Sequence, residues 1–550
     1  MLTLKWSKIK LLSEWEKLDI VEILMKNRWI WSNLQSFFNP DFSDLNDPFS
    51  LDWIKEATLR IIQAKEKGER VVIFWDYDVD WVSSTAMLVR FFTEIWIEVS
   101  YRLPHRINDW YWLKKHFIDD ILEKNVKLLI TVDCGTRDIE ATHYATSKWI
   151  DVIITDHHTV PEIIPTNLIA LVNPKLKDSN YENKNLSWSG VAFKLLHAVS
   201  LNIFWEHWTN KILKKYIDFA MLWTIADCMP LTWENRTIAY LWLKQLKYSQ
   251  SHWLKRLIEW SDPENLDSDI IWFKVWPRLN AAWRMDTPYK ALKVLLAWEK
   301  NLDEAMEEIE NLNNKRKLST EKFIKKAFEF IDSDKNVIFF DSTEIEHWII
   351  WLIAWRLCEA YNKVAIVLKD EWDRLVASCR SPEHISIIKS LEEFKEMFLF
   401  FWWHDGAAWF TILKENFEKF KEEIEKSLEH LYCENVIPKY IEVDAYINLS
   451  QIDFELINKI EQIRPFWYWN PKPLFLLKDF DWSCVDYLWK DQKHLKFSTP
   501  FKNISIKAFW FWEHFEKIKN KWIISLVVEL ERNVWNWIES ISLNTKDIIL

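Results

Sequence analysis

Apolar and polar positions change rhythm along this chain, and the changes divide it. Residues 1–50 predict a mostly helical leader, ending in the polar, proline-containing stretch FFNPDFSDLNDPFS. A helix is predicted over Asp52–Lys67, and four β-formers, Val71–Phe74, follow it. Short β-rich runs then come at Lys127–Val132, Asp151–Thr155 and Leu168–Val172, separated by helix-length segments. Strands alternating with helices predict an α/β unit around a doubly wound parallel sheet, over residues 51–298. In such sheets ligands bind beyond the carboxyl ends of the strands.

The rhythm then lengthens. Asn301–Ile331 is charged, with Leu302, Ala305, Met306, Ile309 and Leu312 at helical spacing. A coiled-coil partner helix would fit, but a long connecting helix over residues 299–335 is the better reading. Residues 336–432 predict a second, smaller α/β unit, with strands at Lys363–Leu368 and Arg374–Cys379 and WWHDGAAWF as a loop entering a helix. Residues 437–550 hold five β-rich runs, at Tyr440–Asn448, Leu474–Leu477, Ile504–Phe509, Trp522–Glu531 and Ile538–Leu543. Five strands fit a small barrel such as an OB-fold.

Acidic groups follow the predicted strands of the first unit. After Val71–Phe74 come Asp76, Asp78 and Asp80 at alternate positions, which in an extended segment point the same way. After Leu128–Val132 comes Asp133, followed by Cys134 and Gly135. After Val152–Thr155 come Asp156, His157 and His158, and TIADCMP places Asp227 in a predicted helix. A solvated acidic turn accounts for any one of these stretches, and an N-cap or a satisfied surface group accounts for His157 alone. Together, carboxylates and imidazoles on a common sheet edge have the ligand chemistry of a two-metal site, suited to Mn²⁺ with Mg²⁺ as the alternative.

Composition adds an anomaly. The chain has 4 Gly and 39 Trp in 550 residues. An ordinary chain of this length carries about 38 Gly, at roughly 7%. Asp80-Trp81, Asp109-Trp110, Glu371-Trp372 and Asn536-Trp537 read as turn dipeptides with the wrong second residue. Most of these tryptophans therefore stand for glycine, as they would if a UGA codon meaning glycine were translated as tryptophan. A truly Trp-rich protein is the competing reading, and it leaves 550 residues with too few turn glycines.

Length implies several domains, and 49% hydrophobic residues suffice for sizeable cores. Apolar runs stay short of a membrane span. The start, MLTLKWSKIKLL, lacks a signal-peptide pattern, and six scattered cysteines without a CxxC pair fit the cytoplasm. The net charge of −11 gives no hint of nucleic-acid binding. A local basic groove would suffice for it nonetheless.

DYDVDWVSSTA (76–86), VDCGT (132–136), TDHH (155–158) and ADCMPL (226–231) resemble the four signature motifs of the DHH phosphoesterase superfamily, with Trp81 read as Gly. YRLPHRINDWYWL (101–113), LSWSGVAFKL (186–195), FKVWPRLNAAWRMDTP (273–288) and FFWWHDGAAWF (400–410) resemble the RecJ family of bacterial single-strand-specific exonucleases. Each match improves when Trp becomes Gly. Residues 336–432 resemble the DHHA1 domain of that family; RPFWYWNPKPLF (464–475) and NVWNWIESISL (533–543) resemble its OB domain, where Trp535 matches a true tryptophan and Trp537 a glycine.

The resemblance implies a 5′→3′ exonuclease for single-stranded DNA, acting in repair and recombination and releasing 5′-mononucleotides. Two cations about 3.5–4 Å apart would activate a water and stabilise the leaving oxygen. Asp78, Asp80, Asp133, His157 and Asp227 are the first-choice ligands, with Asp133 as the bridge; Asp76 is a ligand or lies behind one, and spacing does not separate it from Asp80. His158 would contact the scissile phosphate or assist proton transfer, and Asp156 would orient a histidine. For the 5′ phosphate, motif positions suggest Arg106, Arg278, Arg284, Ser378, Arg380 and His404, although any single Arg is more simply a surface ion pair. Trp81, Trp402 and Trp403 would block close backbone approach there.

The resemblance also implies a monomer whose partners are single-stranded DNA, a single-strand-binding protein and a helicase. Three other functions compete: a DHH phosphodiesterase of short oligonucleotides or cyclic dinucleotides, a non-catalytic DNA-binding scaffold, and a pyrophosphatase. The C-terminal barrel argues against the first and third, and the complete set of motif acids and histidines against the second.

Overall fold

The computed structural model describes all residues except 1–2, 5–6, 14–18, 31–33, 76–81, 103–112, 260, 262–265, 332–334, 383–384, 405, 435–438, 482–484, 489–493, 510, 512–513, 520, 522 and 536–537. For residues 402–404, 430–434, 439 and 535 it describes the backbone alone.

The first unit is built on a five-stranded, all-parallel sheet. Its order is Val99–Arg102, Arg70–Trp75, Val126–Val132, Asp151–Thr155, Ala170–Val172. The chain starts inside the sheet, adds one strand on one side and then builds outward on the other. The order therefore reverses beside Arg70–Trp75, the kind of place where such sheets bind ligands. The near-continuous apolar runs follow from burial on both faces. Ile73, Leu128, Ile130, Val132 and Ile153 face one core, shared with helices Ile54–Lys67, Val82–Glu94 and Trp188–Ile203; Val72, Phe74, Leu129, Val152 and Ile154 face the other.

A 32-residue helix, Glu299–Phe330, leaves this unit with Leu302, Ala305, Met306 and Ile309 buried against it, as the helical spacing predicts. Its far end packs Phe323 and Ala327 against the second unit. That unit holds a five-stranded sheet of order Phe398–His404, Ala407–Leu413, Arg374–Arg380, Val364–Glu371, Val337–Ser342.

The structure corrects the sequence reading of WWHDGAAWF as a loop entering a helix. Phe398–His404 and Ala407–Leu413 are antiparallel strands of one hairpin, with His404 paired to Ala407. The reason is the Asp405-Gly406 dipeptide, a strong hairpin signal. Gly406 supplies the positive φ, 79°.

The C-terminal segment forms a seven-stranded mixed sheet, not five strands. Val485–Tyr487 and His494–Phe497 are short additions, and Tyr440–Asn448 divides into Lys439–Val443 and Ala445–Ile447. The leader is less helical than expected. Ser7–Leu11 is a strand that pairs in parallel with Lys439–Val443. Ile23 and Leu24 of the following helix join the C-terminal core.

The C-terminal sheet is tied to the first unit by polar contacts. Asp267 accepts from the backbone N–H of Phe466 at 3.1 Å, Arg236 donates to the carbonyl of Arg464 at 2.9 Å, and Lys472 pairs with Asp269 at 3.0 Å.

Candidate metal centre

Two adjacent strand ends build the described part of the site. Beyond Val126–Val132 the chain turns sharply: Asp133 has φ 56° and donates its backbone N–H to the Thr155 carbonyl at 2.7 Å. Gly135 follows with φ 107°, and a Cβ there would lie 2.7 Å from Thr131 Oγ1. Only glycine fits that bend. The neighbouring strand ends at Thr155, and Asp156, His157 and His158 come directly off it.

Asp133, His157 and His158 form a group whose ligand atoms lie within 4.8 Å of one another. His157 Nδ1 is 3.3 Å from the Leu186 carbonyl. A carbonyl only accepts, so Nδ1 carries the proton and Nε2 keeps its lone pair. That lone pair faces Asp133 Oδ1 at 3.4 Å. With the carboxyl ionised, two acceptors so placed suit a cation between them. Asp133 Oδ1 is buried, and His158 Nδ1 lies 3.1 Å from it. The donor set, a buried carboxylate with a neutral imidazole, fits a divalent cation such as Mn²⁺.

Electrostatics agree. Burial pushes the Asp133 carboxyl well above its usual range, against the hydrogen bond and charge of His158, and Asp156 and Asp227 push it further. Burial and the charge of His158 lower His157 to about 3, so it stays neutral. Burial works against protonation of His158. Hydrogen bonds to Asp133 and Asp156, and their charges, overcome it and raise His158 to about 11. Its Nδ1 lies 3.1 Å from Asp133 and 2.9 Å from Asp156.

Asp156 is buried and held from several sides. It accepts from Thr136 Oγ1 at 2.5 Å and from the backbone N–H groups of His157 and His158 at 2.8 and 3.1 Å. Burial alone would raise its carboxyl, but these bonds and His158 bring it well below the usual range. Asp227 caps the helix Glu206–Ala226, close enough for its charge to act on Asp133.

Asp76, Asp78, Asp80, Trp81 and Arg106 lie outside the described residues, as do the side chains of Trp402, Trp403 and His404. Among the anion-binding candidates, Arg284 and Arg380 come together across the two α/β units. Their guanidinium groups lie 4.3 and 5.9 Å from the ring centre of Trp351, on the helix Ile350–Tyr361. Arg380 also donates to Ser378 Oγ at 3.3 Å. Arg278 is not part of this group: it pairs with Glu310 on the connecting helix and donates to the Lys274 carbonyl at 2.8 Å. Sequence reasoning gave no role to Thr136 or to the Leu186 carbonyl. Thr136 could have been found as the hydroxyl just past the Cys-Gly bend, whereas a backbone carbonyl leaves no signal in side-chain identity.

Comparison with known proteins places this geometry. Residues 70–224 match the DHH family, N-terminal domain, and residues 443–547 match the RecJ OB domain. The single-stranded-DNA-specific exonuclease RecJ of Bacillus subtilis is 29% identical over 510 residues, covering 91% of this chain and 64% of that protein. The chain thus spans less than two thirds of that relative. The protein of the same name from Haemophilus influenzae is 27% identical over 478 residues, covering 82% of each. Among solved structures, RecJ from Thermus thermophilus in complex with Mn²⁺ matches with a TM-score of 0.81 at 23% identity, over 96% of this chain and 76% of that one.

Proposed function

Because this chain belongs to the RecJ family of DHH proteins, we propose that it is a divalent-metal-dependent exonuclease of single-stranded DNA. It hydrolyses phosphodiester bonds from the 5′ end, releases 5′-mononucleotides and serves DNA repair and recombination. The carrying observation is the approach of His157 Nε2 to Asp133 Oδ1 within a carboxylate–imidazole set.

Asp133 and His157 would hold the cation, with Asp227 and with Asp76, Asp78 and Asp80 from the neighbouring strand end. Mn²⁺ suits this set best, with Mg²⁺ as the alternative. Bound cations supply activation of water and stabilisation of the leaving oxygen. The chain's own groups do the positioning. The Leu186 carbonyl fixes the tautomer of His157. Asp156, fixed by Thr136 and two backbone N–H groups, orients His158. The His158 side chain is 53% exposed, so it can meet a substrate phosphate while its Nδ1 proton stays with the acids. Arg284, Arg380 and Ser378 would take the terminal phosphate, since a guanidinium binds phosphate with parallel hydrogen bonds; Arg106 and His404 complete that proposal from motif position.

The protein would work as a cytoplasmic monomer beside a single-strand-binding protein and a helicase. The scattered cysteines and the family resemblance support that setting. No helix among the described residues is long and apolar enough to cross a membrane.

The test is digestion of a 5′-phosphorylated single strand and of the matching duplex in Mn²⁺. Mononucleotides released from the single strand alone, by the parent and not by Asp133→Asn, are the expected result. Cleavage confined to short oligonucleotides or cyclic dinucleotides would replace this reading with that of a small-substrate phosphodiesterase.

A further inference from the structure

Five helices among the described residues end in the same way. Helix Ile54–Lys67 stops at Gly68, with φ 62°. The Gly68 N–H bonds to the Lys65 carbonyl, and the next N–H, from Glu69, reaches back to Ala64. This paired closure needs a left-handed residue at its centre, the place where glycine is most at home.

Helix Ile20–Asn27 closes with the same two bonds, Trp29 to Lys26 and Ile30 to Met25, and Trp29 has φ 57°. Helix Val82–Glu94 closes with Trp96 to Thr93 and Ile97 to Phe92, and Trp96 has φ 64°. Helix Ile139–Ser147 closes with Trp149 to Thr146 and Ile150 to Ala145, and Trp149 has φ 62°. Helix Glu206–Ala226 closes with Cys228 to Ile225 and Met229 to Thr224, and Cys228 has φ 51°. One glycine, three tryptophans and one cysteine thus occupy one backbone device.

The pattern is general. Among the described residues, 13 non-glycine positions have positive φ, and seven of them are tryptophan: the three above with Trp53, Trp233, Trp372 and Trp469. Large side chains avoid this region, because the Cβ crowds the following carbonyl. Packing does not compensate here: Trp96 and Trp149 are each 89% exposed and Trp372 is 97% exposed.

A second observation is independent of backbone angle. The indole nitrogens of Trp75, Trp223, Trp253, Trp276 and Trp467 are buried without a hydrogen-bond acceptor. Buried tryptophan ordinarily finds a partner for that N–H. The structure holds a large aromatic where its polar atom has no place.

From these two lines we infer that the functional protein carries glycine at most of the positions written as tryptophan, Trp29, Trp96 and Trp149 first among them, because its cells read the codon as glycine. The four conventional glycines, Gly68 among them, are then the minority spelling of a residue used throughout. Turns, helix ends and close approaches regain the residue their geometry requires. Space now filled by indole, such as the gap between Arg284 and Arg380 around Trp351, opens.

Mass spectrometry of the protein isolated from its own cells tests this without reference to activity. The tryptic peptide 149–175 contains one written tryptophan, Trp149, and peptide 71–90 contains two, Trp75 and Trp81. Each is expected to be lighter by the difference between an indole-bearing side chain and a hydrogen, once in the first and twice in the second. Full-mass peptides overturn the inference. A second measurement uses the recombinant chain. The variant W29G/W96G/W149G is expected to unfold at higher urea than the chain as written, because three left-handed positions lose their strain. An equal or lower midpoint counts against the inference.

Discussion

The imidazole of His157 aims Nε2 at Oδ1 of Asp133 across 3.4 Å, while Nδ1 is held 3.3 Å from the Leu186 carbonyl. With Asp133 ionised, this is an acceptor facing an acceptor, both buried, and a cation would complete it. Asp133→Asn keeps the size of the side chain and removes half of this pair. We expect it to abolish Mn²⁺-dependent hydrolysis and to remove the tightest heat of Mn²⁺ binding in calorimetry. Chelation of the parent should silence it, with recovery on adding Mn²⁺. A variant that still binds Mn²⁺ as tightly would move the cation away from Asp133.

Thr136 touches neither the proposed cation nor the substrate, yet its hydroxyl donates to Asp156 at 2.5 Å. Thr136→Val keeps the shape and loses the bond. Outer partners of this kind are worth roughly 10- to 100-fold in metal affinity or activity. The variant should fall in that range and retain its unfolding midpoint within a few degrees. Unchanged Mn²⁺ affinity and rate would leave Asp156 with no orienting role.

Arg380 and Arg284 meet across the ring of Trp351 from two different units of the fold. Arg380→Ala should raise KM for a 5′-phosphorylated strand by about 10- to 100-fold, the value of a hydrogen bond to a charged group. A strand with a 5′-hydroxyl should be digested with nearly the same KM by parent and variant. Equal losses on both strands would assign Arg380 to the DNA backbone instead of its end.

Asp267 sits fully buried where the C-terminal sheet meets the catalytic unit, and burial raises its carboxyl to about 6, partly offset by Arg464. The unfolded value is near 3.9, so the folded state binds a proton more tightly, worth about 3 kcal/mol at most. This contribution is complete below pH of about 4 and is lost as pH rises through about 6. Asp267→Asn titrates in neither state. The parent should therefore gain stability on the variant in urea unfolding as pH falls from about 7 to 4. A constant difference across that window would show that Asp267 does not titrate with folding.

Much of this architecture is legible in the chain because buried parallel strands advertise themselves. The run Asp151–Thr155 was readable to the residue, and Val126–Val132 nearly so, since both faces of each are covered. Edge strands were harder. Val99–Arg102 lacks a continuous apolar run, and Ser7–Leu11 alternates with lysines and finds its partner, Lys439–Val443, at the far end of the chain. Asp133, Asp156, His157 and His158 were legible as strand-end residues, because topology alone brings such positions to one edge. Their hydrogen-bond geometry was not. That Leu186 turns the His157 ring, or that Arg278 spends its guanidinium on Glu310, depends on long-range packing that leaves no local pattern.

The pairing of Ser7–Leu11 with Lys439–Val443, reinforced by Thr3 Oγ1 donating to Asp547 at 2.5 Å, has a consequence for synthesis. Ser7–Leu11 is synthesised more than 400 residues before the strand it pairs with. All five strands of the first parallel sheet precede residue 439, so that sheet can pair while Ser7–Leu11 still lacks its partner. Its lysines, Lys8 and Lys10, keep that waiting strand soluble, since charge on an exposed edge discourages wrong pairing. Native pairing of Ser7–Leu11 is thus delayed until its C-terminal partner has been made.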